Sequence, residues 1–225
     1  MDELRARARH YGFAVVLLLV LVSVSFQVAA PDSDWSRLVV IALGAAILIV
    51  SAWAAQARHA LVRLAALVAA LLALFALVLL AVTGDVPRGT AALVNGLLIA
   101  FAPVMIAAGV VRDLRASREV TLRALCGVLA IYLIVGMLFS FLDAAVGTLG
   151  SDPFFTTDPN ADRSDYLYFS YITLSTTGYG DLVPETNVGR MLAMAEALIG
   201  QIYLVTVVAL IVANLRPRRA EAGAP

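Results

Sequence analysis

Six apolar segments, each about as long as a bilayer is thick, constrain this chain more than any other feature. They are residues 11–28, 38–56, 61–82, 91–111, 122–142 and 191–215. Hydrocarbon offers the backbone no hydrogen-bonding partner, so such segments satisfy their own amides by forming helices. Hydrophobic residues make up 62% of the chain and charged residues 14%, far from the composition of a soluble domain. The sequence therefore predicts an all-α integral membrane protein.

A short glycine-containing motif lies between the last two apolar segments. Residues 176–181 read Thr-Thr-Gly-Tyr-Gly-Asp. Glycine reaches backbone angles closed to other residues, so Gly178 and Gly180 let consecutive carbonyl groups turn in the same direction. A stack of such oxygens can replace the water around a cation. The preceding residues 165–175 are apolar and aromatic but too short to span a bilayer, and they predict a re-entrant helix with Asp165 as its N-cap.

The order of these elements over residues 120–215 resembles the pore module of the potassium-channel family. The resemblance implies a four-helix transmembrane bundle at 1–111, an interfacial linker at 112–120, a pore module at 121–215 and a short cytoplasmic tail at 216–225. It also implies passive, potassium-selective transport through a homotetramer, because one copy of the loop cannot surround an ion on a central axis.

The resemblance assigns a role to each residue of the motif. It implies potassium as the permeant ligand and implies no cofactor. Gly180 is expected to be the last residue of the filter. The coordinating oxygens are expected to be the backbone carbonyls of Thr176, Thr177, Gly178 and Tyr179. The family most often has Val or Ile at the position of Thr177, so the added hydroxyl leaves conductance and filter stability open.

Two residues are expected to support the filter. Asp181 is expected behind the outer mouth, where many family members tie the acid to an aromatic donor on the pore helix. The matching positions are Tyr168 and Phe169, of which only the tyrosine can donate a hydrogen bond. We hypothesise that Tyr168 holds Asp181 and slows filter collapse; simple packing of Tyr168 is the alternative. Ile172 stands where some bacterial members carry a second acid.

The last apolar segment carries the remaining candidate residues. Gly200 matches the family's hinge position, although small residues also pack membrane helices closely, and both readings stay open. Glu196, an acid inside a spanning segment, is expected either to bond a pore-helix hydroxyl such as Ser170 or Thr173, or to sense pH. The resemblance makes one helical face the cavity lining: Gln201, Leu204, Val208 and Val212.

Arginine placement predicts the orientation. With both termini in the cytoplasm, the arginines of the outer segments are Arg37, Arg88, Arg163 and Arg190, and the others lie on the inner side. The acids show the opposite bias, which gives an acidic, cation-attracting outer mouth. The chain is therefore expected to be a multi-pass protein of the plasma (inner) membrane.

Arginines spaced by three follow the fourth apolar segment instead of lying within it. They are Arg112, Arg115 and Arg118, and segment 91–111 contains none. A voltage sensor needs such charges inside the membrane field. We expect an interfacial linker on anionic lipid headgroups and weak voltage dependence; a degenerate sensor is the alternative.

Several alternatives remain open from the sequence. The first apolar segment, with Arg5, Arg7 and Arg9 before it and Ala29-Ala30 after it, also fits a cleaved signal peptide. The chain could be a regulatory, non-conducting channel subunit, or, less well supported, a secondary transporter. An enzyme is not expected, because no nucleophile–base set or metal-ligand cluster occurs in the sequence. The formal net charge of zero gives no indication of nucleic-acid binding.

Overall fold

The computed structural model describes residues 2–57, 59–117, 121–150 and 152–214. These residues form eight α-helices, and the only β element among them is an isolated bridge between Phe155 and Pro184. The helices are α1 (Asp2–Ala29), α2 (Asp34–Ala54), α3 (His59–Thr83), α4 (Arg88–Ala100), α5 (Ala102–Ser117), α6 (Leu122–Leu149), α7 (Arg163–Leu174) and α8 (Asn187–Asn214). Six of the described stretches are long and apolar enough to cross a membrane, so the predicted all-α membrane fold is confirmed.

Helices α4 and α5 together make the fourth crossing, which is interrupted at Phe101. Residues Arg88–Ala116 form one span, but the α-helix ends at Ala100 and resumes at Ala102. Pro103 explains the break, because proline has no amide hydrogen and its ring meets the carbonyl of Ile99 four residues earlier.

Helix α6 is longer than the predicted segment 122–142. It begins after Thr121, whose hydroxyl caps the amide of Ala124 at 3.1 Å, and continues to Leu149. The two additional turns bring Asp143 into the helix, where its side chain is fully buried. An acid at the end of an apolar run looked like the start of a loop, but tertiary packing extends the helix past it.

The N-cap predicted for the pore helix α7 is wrong by one turn. Asp162, not Asp165, is the N-cap, and its carboxylate accepts from the amides of Ser164 and Asp165. Asp165 occupies the third helical position and accepts from the amide of Asp162 at 2.7 Å, which closes a capping box. Burial alone would raise the pKa of the Asp162 carboxyl, but the hydrogen bonds from Ser164 outweigh it and lower this pKa.

The buried core is continuous across the predicted boundary between bundle and pore module. Helices α1, α4 and α5 pack against α6, α2 packs against α1, α4 and α5, and α1 also contacts α7. One cluster contains Phe13 of α1, Ile47 of α2, Leu98 of α4, Ile134 of α6 and Leu167 of α7. The division at residues 112–120 therefore describes chain order, whereas the packing joins the two parts.

Two arginines, Arg112 and Arg123, bind the C-terminal end of α2. The Arg112 guanidinium donates to the carbonyls of Ala55 and Gln56, and Arg123 donates to the carbonyl of Ala54 at 2.8 Å. Cations at a helix C-terminus satisfy free carbonyls and complement the helix dipole. Arg112 thus has protein partners in addition to any lipid. Arg115 is exposed, while Arg118 and the tail at 216–225 lie outside the described residues.

Candidate ion-conducting site

In the segment after α7, every second residue has a positive φ angle, which is the left-handed backbone conformation. Thr176, Gly178 and Gly180 have φ angles of 58°, 50° and 81°, whereas Thr177 and Tyr179 are not among the described residues with positive φ. Alternation of this kind turns successive carbonyl groups to the same side of the chain. Glycine adopts the left-handed region freely, but Thr176 does so at a cost of about 1–2 kcal/mol. Strain of this kind is typical of functional sites.

Hydrogen bonds tie this segment to the last turn of α7. The amides of Thr177 and Gly178 both donate to the carbonyl of Ile172, at 2.8 and 3.1 Å, and the amide of Thr176 donates to Thr173 at 2.9 Å. The hydroxyls of Ser175 and Thr177 lie 2.9 Å apart and share a hydrogen bond. The hydroxyl at position 177, where the family usually has Val or Ile, therefore has a partner within the chain.

Asp181 is held on two sides. The hydroxyl of Tyr168 donates to its carboxylate at 2.8 Å, and the hydroxyl of Thr157 donates to its backbone carbonyl at 2.8 Å. The bond to Asp181 raises the pKa of the Tyr168 phenol, so the hydroxyl keeps its proton to donate. Phe169, which cannot donate, is buried among other aromatic rings.

The link between α6 and α7 packs over the segment that follows the motif at 176–181. Phe155 bridges to Pro184, and the amide of Glu185 donates to the carbonyl of Phe154 at 2.8 Å. The rings of Phe154 and Phe155 lie 4.8 Å apart and pack against α7. Sequence reasoning missed this support; an aromatic pair within an otherwise polar link was the available signal.

A buried polar cluster lies behind α7. The Ser170 hydroxyl lies 2.6 Å from the carbonyl of Gly136 on α6 and bonds to the carboxyl of Glu196 on α8. Glu196 and Asp143 are both fully buried. Within the described part of the chain, the second oxygen of Glu196 and both oxygens of Asp143 have no hydrogen-bond partner. The sequence did not predict that Asp143 is buried, because the residue was assigned to the link that follows the fifth apolar segment.

Gly200 lies against the end of α7. A Cβ atom at this position would collide with the carbonyl oxygen of Leu174 and would lie 3.0 Å from its carbonyl carbon. The geometry therefore gives Gly200 a packing role, and its role as a hinge stays a prediction.

The predicted cavity residues are exposed on α8 in the single subunit. Gln201 is exposed, as are Leu204 and Val208; the side chain of Val212 lies outside the described residues. Tyr179 is 71% exposed, so a bracing contact for its ring has to come from outside this subunit. Among the described residues, no group of three His, Cys, Asp or Glu side chains could hold a metal ion.

Comparison with known proteins locates the similarity in this half of the chain. A family profile described as "Ion channel" matches residues 127–216. A putative potassium channel protein of Rhodopseudomonas palustris is 48% identical over 50 residues, which cover 22% of this chain and 12% of that protein. Protein LctB of Bacillus caldotenax is 46% identical over 61 residues, which cover 24% of this chain and 45% of that protein.

A human protein shows the same pattern of local similarity. The human potassium voltage-gated channel subfamily KQT member 4 is 50% identical over 46 residues, covering 19% of this chain and 7% of that protein. The chain thus spans less than half the length of these curated relatives. No solved structure matches.

Proposed function

We propose that this protein conducts potassium passively and selectively across a membrane; the ion-channel profile over residues 127–216 and the local similarity to potassium-channel proteins support this. The observation that carries the proposal is the left-handed backbone at Thr176, Gly178 and Gly180. It supplies consecutive carbonyl oxygens on one side of a segment fixed at both ends. Such oxygens can replace the hydration shell of a potassium ion without a cofactor.

The proposed active form is a homotetramer. A single segment offers oxygens on one side of an ion only, so the ion sites need further copies around a common axis. The filter segment and one face of α8 are exposed in the subunit, including Met194, Leu198 and Ile202. Burying these surfaces against neighbouring copies gives the apolar face of α8 a protein partner and gives Tyr179 ring contacts.

The proposal extends to orientation and voltage response. Both termini lie in the cytoplasm of an inner-membrane protein, with Asp181 at the outer mouth. Voltage dependence is weak, because Arg112 bonds to the carbonyls at the end of α2 and is not free to cross the field. Arg115 and Arg118 lie on anionic headgroups. The protein acts as a channel, without enzymatic activity and without nucleic acid.

The proposal is tested by subunit number together with potassium flux. Native mass measurement of the purified protein is expected to give four chains, and liposomes containing it are expected to take up potassium far faster than protein-free liposomes. Intact tetramers without flux would favour a regulatory subunit. A monomer with substrate-coupled uptake would favour a transporter.

A further inference from the structure

The outer end of the pore helix is bonded to the α1–α2 loop and to the first turn of α2. Arg163 is the first residue of α7. Its guanidinium donates to the backbone carbonyl of Ala30 at 3.1 Å and to the hydroxyl of Ser36 at 3.2 Å. Ser36 is fully buried, so this contact lies inside the joint between the N-terminal helices and the pore helix.

The loop that receives Arg163 is fixed to a second outer loop. Arg37 pairs with Asp32 at 2.9 Å and with Asp34 at 3.1 Å, and it donates to the carbonyl of Val86 at 2.7 Å. The amide of Val86 in turn donates to Asp34 at 3.1 Å. The α1–α2 and α3–α4 loops therefore form one bonded unit, and Arg163 is anchored to that unit.

The inner end of the same helix carries the filter segment. Helix α7 has 12 residues, so its two ends lie about 18 Å apart. The amides of Thr177 and Gly178 bond to Ile172 in its last turn. A displacement of the outer end is passed to the filter, because a short helix with both ends bonded moves as one body.

We propose that the N-terminal helices brace the filter from the outer face, and that Arg163 is the positioning residue through which they act. The inference rests on the proposed function, because the stability of the filter is measured by how long potassium conduction is sustained. Without Arg163, the outer end of α7 keeps its N-cap and its aromatic packing but loses its hydrogen bonds to Ala30 and Ser36. The strained Thr176 backbone then relaxes sooner, and conduction decays faster.

Arg88 provides a matched control for charge and location. Arg88 lies on the same outer face, pairs with Asp32 at 3.0 Å through a side chain that is half exposed, and has no described hydrogen bond to α7. Asp32 also pairs with Arg37 through its other carboxylate oxygen, so the bonded loops keep this pair when Arg88 is replaced. Arg163→Gln and Arg88→Gln therefore remove the same charge from the outer mouth, but only the first removes a bond to the pore helix.

The experiment compares both variants and Ser36→Ala in reconstituted full-length protein. We expect potassium conduction to decay about three- to tenfold faster in Arg163→Gln, to be unchanged in Arg88→Gln, and to be intermediate in Ser36→Ala. Adding Ser36→Ala to Arg163→Gln is expected to change the decay less than Ser36→Ala alone does, because the two residues share a bond.

Hydrogen exchange of the amides at 164–178 gives a readout that does not depend on flux. Faster exchange is expected there in Arg163→Gln and not in Arg88→Gln. If Arg163→Gln does not assemble, Ser36→Ala takes its place in the comparison, and a smaller increase in the exchange rate is expected. Equal decay and equal exchange in the Arg163 and Arg88 variants would overturn the brace. If the wild-type protein carries no potassium, the proposed function fails, and the exchange comparison alone decides the brace.

Discussion

Tyr168 on the pore helix donates a 2.8 Å hydrogen bond to the carboxylate of Asp181, just beyond the filter segment. Tyr168→Phe removes this bond and little else. We predict that potassium current decays roughly two- to tenfold faster in the variant under sustained flux, because the outer end of the filter loses its side-chain tether. Tyr11→Phe, at an exposed tyrosine in α1, is the control. Unchanged decay in Tyr168→Phe would leave Tyr168 with a packing role only.

Thr177 tests how far the filter depends on side-chain chemistry. Thr177→Val keeps the shape but removes the hydroxyl that lies 2.9 Å from that of Ser175. We predict that potassium-over-sodium selectivity is retained, because the proposed ion ligands are backbone carbonyls, while the rate of current decay changes. A large loss of selectivity, measured from reversal potentials, would show that the hydroxyl takes part in coordination.

Gly200 tests close helix packing. Gly200→Ala places a methyl group against the carbonyl of Leu174, and overpacking of this kind costs about 1–3 kcal/mol. We predict a lower melting temperature of the purified protein and reduced flux. Gly96→Ala is the matched control, since its Cβ would meet only the Cβ of Phe141 at 3.8 Å. A Gly200→Ala variant as stable as wild type would favour the hinge interpretation.

The Ser170–Glu196 contact separates two interpretations of the buried acid. One hydroxyl proton serves one acceptor, and the Ser170 oxygen lies near both the Gly136 carbonyl and Glu196. Glutamine at position 196 can donate to Ser170 while Ser170 donates to Gly136. We predict that Glu196→Gln preserves stability, whereas Glu196→Ala lowers it by about 1–3 kcal/mol in thermal unfolding. Loss of a pH response in Glu196→Gln, with unchanged stability, would support sensing instead.

Arg112 tests the absence of a voltage sensor. Arg112→Gln removes the bonds to Ala55 and Gln56 at the end of α2. We predict a small loss of stability and an unchanged, shallow conductance–voltage relation. The control is Arg115→Gln, at an exposed position on the same helix. A steep relation in the wild type that flattens in both variants would contradict this account.

The sequence was sufficient for the spanning helices and for the positive φ angles at Gly178 and Gly180, because both depend on local chemistry. Long apolar runs must form helices in a bilayer, and Gly178 and Gly180 supply the backbone freedom that the segment uses. The N-cap of α7 was missed by one turn because several acids precede the helix, and any of them can cap it.

Contacts between distant segments could not be predicted from the sequence. The bonds from Arg163 to Ala30 and Ser36 join residues more than a hundred positions apart, and no local pattern marks them. The burial of Asp143 likewise depends on the packing of α6 against other helices. The assignment of residues 176–180 as a filter stays a prediction from the sequence, and the contacts that surround this segment could be read only from the structure.

The most direct test is the ratio of potassium to sodium flux through the purified protein in liposomes, with and without barium. The account predicts potassium flux far above sodium flux and block by barium, because stacked carbonyl oxygens replace the hydration shell of the larger ion. Equal flux of the two ions, or flux insensitive to barium, would contradict the assignment of residues 176–180 as a potassium filter.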